Sequence, residues 1–245
     1  MTTPTPSPNV GLHASEPHHA GIAQRLNWLR AGVLGANDGI VSVAAVVVGV
    51  AGVTTATAPI LTAGVAALVG GAVSMALGEY VSVSSQSDSE HALIEKEKRE
   101  LTDDPEAELA ELAALYEARG LSPATAQQVA AELTAHDPLS AHLSAELNID
   151  EGDVVRPWSA AGASALAFVA GAALPLLVIL LAPTSARVIA TFTAVLLALA
   201  VTGAVGAHLG GSSKRTASLR VVIGGALALA ATYAIGTLLG ASGVV

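Results

Sequence analysis

The chain has 245 residues, of which 52% are hydrophobic and 13% charged, and its formal net charge at pH 7 is −9. The charged fraction is well below the roughly 25% typical of soluble proteins, so the composition predicts an integral membrane protein. The acidic balance argues against a nucleic-acid partner, and the absence of cysteine excludes disulfides, thiolate metal sites and thiol catalysis.

Residues 1–24 are predicted to form a disordered N-terminal tail. Its start is rich in Pro, Thr and Ser and lacks the basic segment and apolar core of a cleaved signal peptide. Three histidines in this tail resemble a weak metal-binding tract. The chain's only Glu-x-x-His sequence, Glu16 to His19, also lies here, which disfavours ferritin-type di-iron chemistry because that fold needs the motif on paired helices. The three histidines are His13, His18 and His19.

Five apolar runs are each long enough to cross the hydrocarbon core of a bilayer, which takes about 20 helical residues. They predict five membrane-spanning helices. Small residues recur at four-residue spacing within the runs, for example Gly35 and Gly39, and such spacing lets helix backbones approach closely in lipid. The five runs are Ala31–Val53, Ile60–Val83, Trp158–Ala182, Val188–Leu209 and Leu219–Gly240.

The distribution of lysine and arginine predicts the orientation of these helices. Ten of the eleven basic residues fall on one side of the predicted membrane, and the exception is Arg187, between the third and fourth runs. By the positive-inside rule, the N-terminus and the polar segment after the second run are cytoplasmic, and the C-terminus is outside. Trp28 and Trp158 would then both lie at the cytoplasmic interface, where indole rings are enriched.

Residues 88–153 contain seventeen of the twenty acidic residues and only four of the basic ones. An Asp or Ser followed by Pro favours the start of a helix, and three such pairs divide the segment into three or four short helices. The predicted fold class is all-α, with five transmembrane helices and a cytoplasmic acidic domain inserted between helices two and three. Residues 25–87 would then hold helices one and two, and residues 154–245 helices three to five. The three pairs are Asp104-Pro105, Ser122-Pro123 and Asp137-Pro138.

The acidic domain contains a candidate metal site. Two pairs of glutamates have i, i+3 spacing, so the members of each pair share a helix face, and a helical hairpin would bring the pairs together. A third glutamate, with a histidine one turn before it, would add an oxygen and a nitrogen. Oxygen-rich ligation with one imidazole suits Fe²⁺, Mn²⁺ or Zn²⁺ better than Cu⁺. Taken alone, a Glu-rich helix is more often a solvated face. The candidates are Glu97, Glu100, Glu108, Glu111, His142 and Glu146.

Three side chains inside or near the apolar runs are candidates for a transport path. Asp38 lies about two turns into the first run, where a lone aspartate costs roughly 2.5–3.5 kcal/mol and should face a cavity or a partner. Met75 and Glu79 are one turn apart near the end of the second run. Two carboxylates and a thioether would suit a transition-metal ion, and the carboxylates would exchange it for protons. The alternatives are a structural helix–helix hydrogen bond for Asp38, an interfacial solvated position for Glu79 and ordinary packing for Met75.

Four segments together resemble the vacuolar iron transporter family. They are DGIVS (38–42), SMALGEYVSVSSQ (74–86), DPEAELAELAALYEARGLSP (104–123) and AELTAHDPLSAHLSAELNI (131–149). With the five spans and the acidic insert after the second, the resemblance covers roughly Arg25 to Gly240. It implies a homodimeric, proton-coupled exporter of cytosolic Fe²⁺, with Mn²⁺ as a second expected substrate and with the ion path at the dimer interface.

The resemblance also implies residue roles. Asp38 and Met75 stand where the family's path is lined, and the candidate glutamates stand at the family's cytoplasmic metal-binding positions. His142 and Leu143 align with a methionine pair in some members, so this chain has a different donor set and an altered metal preference is expected. No prosthetic group is implied, because the metal ion is the substrate.

A different class of function fits some of the same features. A membrane-anchored metal buffer or sensor would use the spans only to hold and dimerise the acidic domain, and it would bind metal without transporting it. Asp38 and Glu79 argue against that hypothesis, because an anchor needs no carboxylates in its spans. An enzyme is disfavoured, since the sequence has no nucleophile–base constellation or nucleotide-binding loop. The Ala-rich composition and the preference for Arg over Lys favour a bacterial plasma membrane.

Overall fold

The structure is a computed structural model that describes residues 22–149 and 156–242, with side chains from residue 32 onwards. In these ranges it is helical, without strands. Residues 1–21 of the predicted tail, the side chain of Trp28 and residues 150–153 of the acidic segment lie outside the described part, whereas the last three residues assigned to the tail, 22–24, belong to the first helix. A single π-helical turn, Leu143–Leu147, follows the fifth helix. The helices are α1 Ile22–Val53, α2 Thr57–Asp103, α3 Pro105–Ala118, α4 Pro123–His136, α5 Pro138–His142, α6 Pro157–Leu181, α7 Arg187–Leu209 and α8 Lys214–Ser242.

Five of these helices, namely α1, α2, α6, α7 and α8, are long and apolar enough to cross a membrane, which confirms the five predicted spans. The second, α2, has 47 residues. At 1.5 Å per residue it is about 70 Å long, more than twice the roughly 30 Å of a hydrocarbon core. Its apolar part ends near Val83, and its remaining turns carry Asp88 and the first acidic residues of the insert. One continuous helix therefore leads from the membrane into the acidic segment.

Helix α1 lies at the centre of the membrane-spanning bundle and contacts α2, α6, α7 and α8. Its inward residues Val43, Val47 and Val48 are completely buried. The apolar cluster around them is completed by Ile60, Phe168, Ile179, Val195, Leu199 and Leu229. In lipid, such burial contributes through close packing rather than through exclusion of water, so the fit between the helices matters more than their apolar area.

Glycines provide that close fit where α1 crosses α6. A methyl group added at Gly171 of α6 would lie 2.2 Å from the carbonyl oxygen of Ala36, and one added at Gly39 would lie 2.1 Å from the carbonyl oxygen of Phe168. Because both obstacles are backbone atoms, a side chain cannot be accommodated unless the helices separate. The predicted role of the Gly35 and Gly39 spacing is confirmed at this contact, since Gly35 also faces the α6 backbone.

The caps predicted for the short acidic helices are present. The Oδ1 of Asp104 accepts a hydrogen bond from the amide of Ala107 at 3.1 Å, and the Oδ1 of Asp137 accepts one from Ser140 at 3.0 Å. Ser122 accepts from the amide of Thr125 at 3.4 Å. These bonds satisfy amides that a helix leaves unpaired at its start. Helices α3 and α4 and the π turn are held together by a small apolar cluster of Leu112, Ala113, Ala130 and Ala145.

Substitution of Gly171 by Ala is expected to destabilise the bundle by about 1–3 kcal/mol, because the new methyl group forces α1 and α6 apart. Gly162 of the same helix is the matched control, since in the described part of the chain no atom lies within 4 Å of a methyl group placed there. Gly162→Ala should leave the stability unchanged or raise it by up to about 1 kcal/mol through helix propensity. Thermal unfolding of the purified variants in detergent tests this, and equal midpoints for the two would contradict the close contact.

Candidate metal centre

Three helices bring one ligand side chain each to a common point. Glu97 lies near the end of α2, Glu108 in the first turns of α3, and His142 is the last residue of α5. The chain reverses at Asp104, where α2 ends and Pro105 begins α3, so that α3 folds back beside the end of α2. The three side chains are therefore brought together by helix packing and not by sequence proximity.

The donor atoms converge closely. The Nδ1 of His142 lies 2.9 Å from the Oε1 of Glu97 and 3.5 Å from the Oε2 of Glu108. All three residues offer one ligand atom within 4.8 Å of the others. Metal–ligand bonds of about 2.0–2.2 Å at right angles place neighbouring donor atoms roughly 3 Å apart. The spacing is thus in the range that a single divalent ion requires.

The three side chains are also buried, and several of their polar atoms lack a hydrogen-bond partner among the described residues. Glu97, Glu108 and His142 are 2%, 8% and 0% exposed. Within the described part of the chain, the Oε1 of Glu97 and both ring nitrogens of His142 have no hydrogen-bond partner of acceptable geometry. Buried polar atoms are almost always paired, because leaving one unpaired costs about 1–3 kcal/mol or more. A bound cation would supply the missing partner for the Oε1 of Glu97 and for the Nδ1 of His142, so the residues present fit a metal ion.

The chemistry of the donors narrows the class of ion. Two carboxylate oxygens and one imidazole nitrogen form a set of hard and borderline ligands, and the chain contains no cysteine. Such a set suits Fe²⁺, Mn²⁺, Co²⁺ or Zn²⁺ and disfavours Cu⁺, which prefers sulfur.

The other three predicted ligands lie around this cluster and differ in their distance from it. Glu146, one turn after His142, has its Oε2 at 4.0 Å from the Nδ1 of His142, with 27% of its side chain exposed. Glu100 receives a hydrogen bond from Lys96 at 2.7 Å instead. Glu111 is exposed on α3. The structure therefore brings together Glu97, Glu108 and His142, with Glu146 at the edge and the second member of each glutamate pair outside.

The cluster changes the proton affinities of its carboxylates. Burial, reinforced by the negative charges of Glu146, Glu108 and Glu100, raises the pKa of Glu97 to about 7, from 4.5 for an ordinary glutamate. Burial and the charge of Glu111 raise the pKa of Glu108, against the opposing effect of His142. The carboxylates therefore hold protons more readily than exposed glutamates do, and a bound cation would displace those protons.

The predicted path residues lie on α1 and α2. Asp38 is exposed on the surface of the isolated chain, and its Oδ1 accepts a hydrogen bond from the hydroxyl of Ser42 at 2.7 Å. Met75 is partly buried against the apolar core of the bundle. Glu79 is partly buried one turn further along α2, beside Tyr80, whose ring contacts that of Trp158 with centroids 4.6 Å apart and a tilt of 48° between the ring planes.

Some contacts near the predicted residues were not indicated by the sequence. The hydroxyl of Thr202 on α7 donates to the Oδ1 of Asn37 at 2.5 Å, next to Asp38. The guanidinium of Arg119 donates to the carbonyl oxygen of Ala145, next to Glu146. Both bonds join residues far apart in sequence, so no local pattern marks them. The burial of Glu97 did have a local signal, since Ile94 and Leu101 lie one turn away on the same helix face.

The sequence of this chain is similar to those of known transporters of one family. Residues 29–237 match the sequence model of the VIT family. The chain is 46% identical over 221 residues to a vacuolar iron transporter of Acanthamoeba castellanii, which covers 90% of this chain and 82% of that protein. It is 39% identical over 221 residues to vacuolar iron transporter homolog 1 of Oryza sativa subsp. japonica, covering 90% and 77%. It is 35% identical over 223 residues to vacuolar iron transporter homolog 2 of Arabidopsis thaliana, covering 91% and 89%.

The metal-free protein is expected to lose stability as the pH rises from about 4.5 to about 7, because the folded state keeps a proton on Glu97 that the unfolded chain releases. The folded state binds more protons over this range, so the free energy of unfolding falls with pH. Glu97→Gln, neutral at every pH, should remove part of that slope and raise stability above pH 7. Thermal unfolding of both proteins in detergent with a chelator, between pH 4.5 and 8, measures this dependence of stability on pH.

Glu95→Gln is the control for this experiment, because Glu95 lies on the same helix, is exposed and pairs with Lys98 at 2.9 Å. It should keep the slope of the unmodified protein. If Glu97→Gln showed that same slope, the buried and protonated state of Glu97 would be disproved.

Proposed function

Because this chain belongs to the VIT family, a family of transporters and not of enzymes, we propose that it exports divalent iron from the cytosol in exchange for protons. The metal ion is the substrate, and no prosthetic group is involved. The observation that carries the proposal is the buried cluster of Glu97, Glu108 and His142, whose donor atoms converge. Within the described part of the chain, the Oε1 of Glu97 and the ring nitrogens of His142 have no hydrogen-bond partner. It gives the chain a place to select a divalent ion before that ion enters the membrane.

Residues 88–153 are, in this proposal, a cytoplasmic capture domain. The cluster lies outside the apolar part of α2, because Glu97 follows Glu79 by eighteen residues, or about 27 Å along a helix. An ion bound at Glu97 is therefore too far from the membrane path for direct transfer between ligands. The domain raises the local concentration of the ion at the cytoplasmic entrance, which the surplus of acidic side chains also favours.

Asp38, Met75 and Glu79 form the path across the membrane. Asp38 is the clearest of the three, because its carboxylate is exposed on a membrane-spanning helix where contact with lipid costs roughly 2.5–3.5 kcal/mol. A carboxylate in that setting gains from binding either a metal ion or a proton, so the two compete for it. Release of the metal ion on the outer side with uptake of a proton, and the reverse on the inner side, gives antiport.

The functional unit is a homodimer. On α2, small residues recur every fourth position on an exposed face, and no atom of the described residues lies within 4 Å of a methyl group placed at Gly70 or Gly78. Close packing of such faces is a common mode of helix association in lipid. A second copy of the chain would cover this face and also remove Asp38 from lipid. The small exposed residues are Ala66, Gly70, Ser74 and Gly78.

His142 influences which ions are captured. An imidazole with two carboxylates accommodates Mn²⁺ as well as Fe²⁺, so both are proposed substrates.

The positive-inside rule supports a cytoplasmic N-terminus and acidic domain, with the C-terminus outside. The membrane proposed is the plasma membrane of a bacterial cell, whereas the relatives described above are eukaryotic proteins named as vacuolar transporters.

Asp38→Asn is expected to abolish Fe²⁺ uptake into inside-out vesicles with an imposed pH gradient, because a neutral amide neither binds the ion strongly nor exchanges a proton. Binding of Fe²⁺ by the acidic domain should stay as in the unmodified protein. Asp88→Asn, which removes an exposed carboxylate outside the membrane, is the control and should transport normally. Undiminished flux in Asp38→Asn would disprove its role, and metal binding without flux in the unmodified protein would favour a buffer.

Joint replacement of Gly70 and Gly78 by Leu is expected to convert the dimer to monomers, because the large side chains prevent close approach of two α2 helices. The same replacement at Gly162, which is equally open but lies on α6, should leave the dimer intact. Light scattering of the protein in detergent, corrected for bound detergent, measures the mass. A monomeric unmodified protein, or a dimer that survives the double replacement, would contradict the proposed interface.

A further inference from the structure

The metal centre is completed by an unusual piece of backbone. Leu143–Leu147 forms a single π-helical turn directly after His142, and Glu146 lies within it. The turn ends at Asn148, which has a positive φ of 53°, and the amide of Ile149 donates to the carbonyl oxygen of Leu143 at 2.9 Å. A π turn is rare and less favourable than the α-helix it interrupts, and such turns are frequent at functional sites. Something must therefore hold this turn in place.

Two contacts hold it. On its inner side, Leu143 and Ala145 are buried, with Ala145 in the apolar cluster that contains Leu112 of α3. On its other side, Arg119, the residue that follows α3, donates through its Nη2 to the carbonyl oxygen of Ala145. The guanidinium also lies over the ring of Tyr116, 5.4 Å from its centroid, which limits its freedom to move away.

We propose that Arg119 is a positioning residue for the metal site, which fixes the π turn so that His142 and Glu146 face Glu97 and Glu108. The inference rests on the proposed capture of metal at this cluster. Arg119 does not touch the donor atoms itself. It acts through the carbonyl group of Ala145, the neighbour of Glu146, and it links the turn to α3, the helix that carries Glu108.

Arg119 can stabilise the turn because every helix leaves carbonyl groups unpaired at its C-terminal end. A cationic side chain that donates to one of them is favourable there, because of both the hydrogen bond and the helix dipole. Without Arg119, the turn would be free to tighten from i→i+5 to i→i+4 hydrogen bonding. That change rotates every following residue about the helix axis, so Glu146 would move relative to His142.

Electrostatics alone predicts the opposite effect of removing Arg119. Its positive charge lies near a site for cations, so its loss should strengthen binding if charge were its only contribution. If positioning is its contribution, its loss should weaken binding. The direction of the change in affinity therefore separates the two explanations.

The test measures Co²⁺ binding to the full-length protein in detergent. Binding is monitored by the visible absorption of the bound ion, and the shape of that spectrum reports the coordination of the ion. Arg119→Met is expected to weaken Co²⁺ binding about 10–100-fold, the usual cost of losing a residue that orients metal ligands, and to change the spectrum. Arg119→Lys, which can still donate to the carbonyl, should recover part of the affinity. Arg99→Met removes the same charge from an exposed position on α2. This variant should bind Co²⁺ at least as tightly as the unmodified protein and show the same absorption spectrum.

Unchanged or tighter Co²⁺ binding by Arg119→Met with an unchanged spectrum would overturn the inference. If that variant proves unfolded by thermal scanning, Arg119→Gln is measured instead, with the same expected and contradicting results. His142→Ala separates the two levels of the proposal. If it loses Co²⁺ while Arg119→Met does not, only the role of Arg119 fails. If the unmodified protein binds no Co²⁺, or His142→Ala binds it undiminished, the capture site itself fails.

Discussion

The cost of removing a carboxylate from water governs the arrangement of this molecule. An ionised carboxylate in a site of low polarity must be neutralised by a proton or a cation. Glu97 and Glu108 are both buried against His142, and together they place two acidic groups within reach of one imidazole. The short acidic helices bury only a small apolar cluster of their own, so their packing gains little from burial of apolar surface. A cation that binds the cluster removes this cost, and the fold of the segment is then coupled to its occupancy.

Helix α2 connects this segment to the membrane and limits where the segment can lie relative to the bilayer. It runs without interruption from Thr57 to Asp103, so Met75, Glu79 and Glu97 lie on one rod. No proline or glycine interrupts it after Gly78, and a kink usually needs such a residue. The depth of the rod in the bilayer therefore also sets the height of the cluster of Glu97, Glu108 and His142 above the membrane. The bundle holds that rod through the contacts of α2 with α1 and α6. Helices α1 and α6 in turn approach each other at glycines that allow no side chain between them.

The sequence was sufficient for the features that depend on local chemistry. The five spans follow from their length and hydropathy, and the starts of α3, α4 and α5 follow from an Asp or Ser before Pro, because a cap acts within one turn. It was not sufficient for the features that depend on packing. Glu97 and Glu100 share a helix face, but only the position of α3 and α5 decides that Glu97 is buried while Glu100 pairs with Lys96. The π turn has no established sequence signal, since it is held by Arg119 from twenty-six residues away.

Asp38 and Glu97 show two different responses to the same energetic cost. The carboxylate of Glu97 is enclosed by its own chain, with His142 at 2.9 Å and Glu108 beside it, so one copy of the protein brings three converging donors together. The carboxylate of Asp38 has only the hydroxyl of Ser42 as a partner among the described residues, and it is exposed on a helix that spans the membrane. No charged partner among the described residues offsets its cost in lipid. In the proposed function, capture of an ion would therefore be a property of the single chain, whereas passage of that ion past Asp38 would require the surface of a second copy.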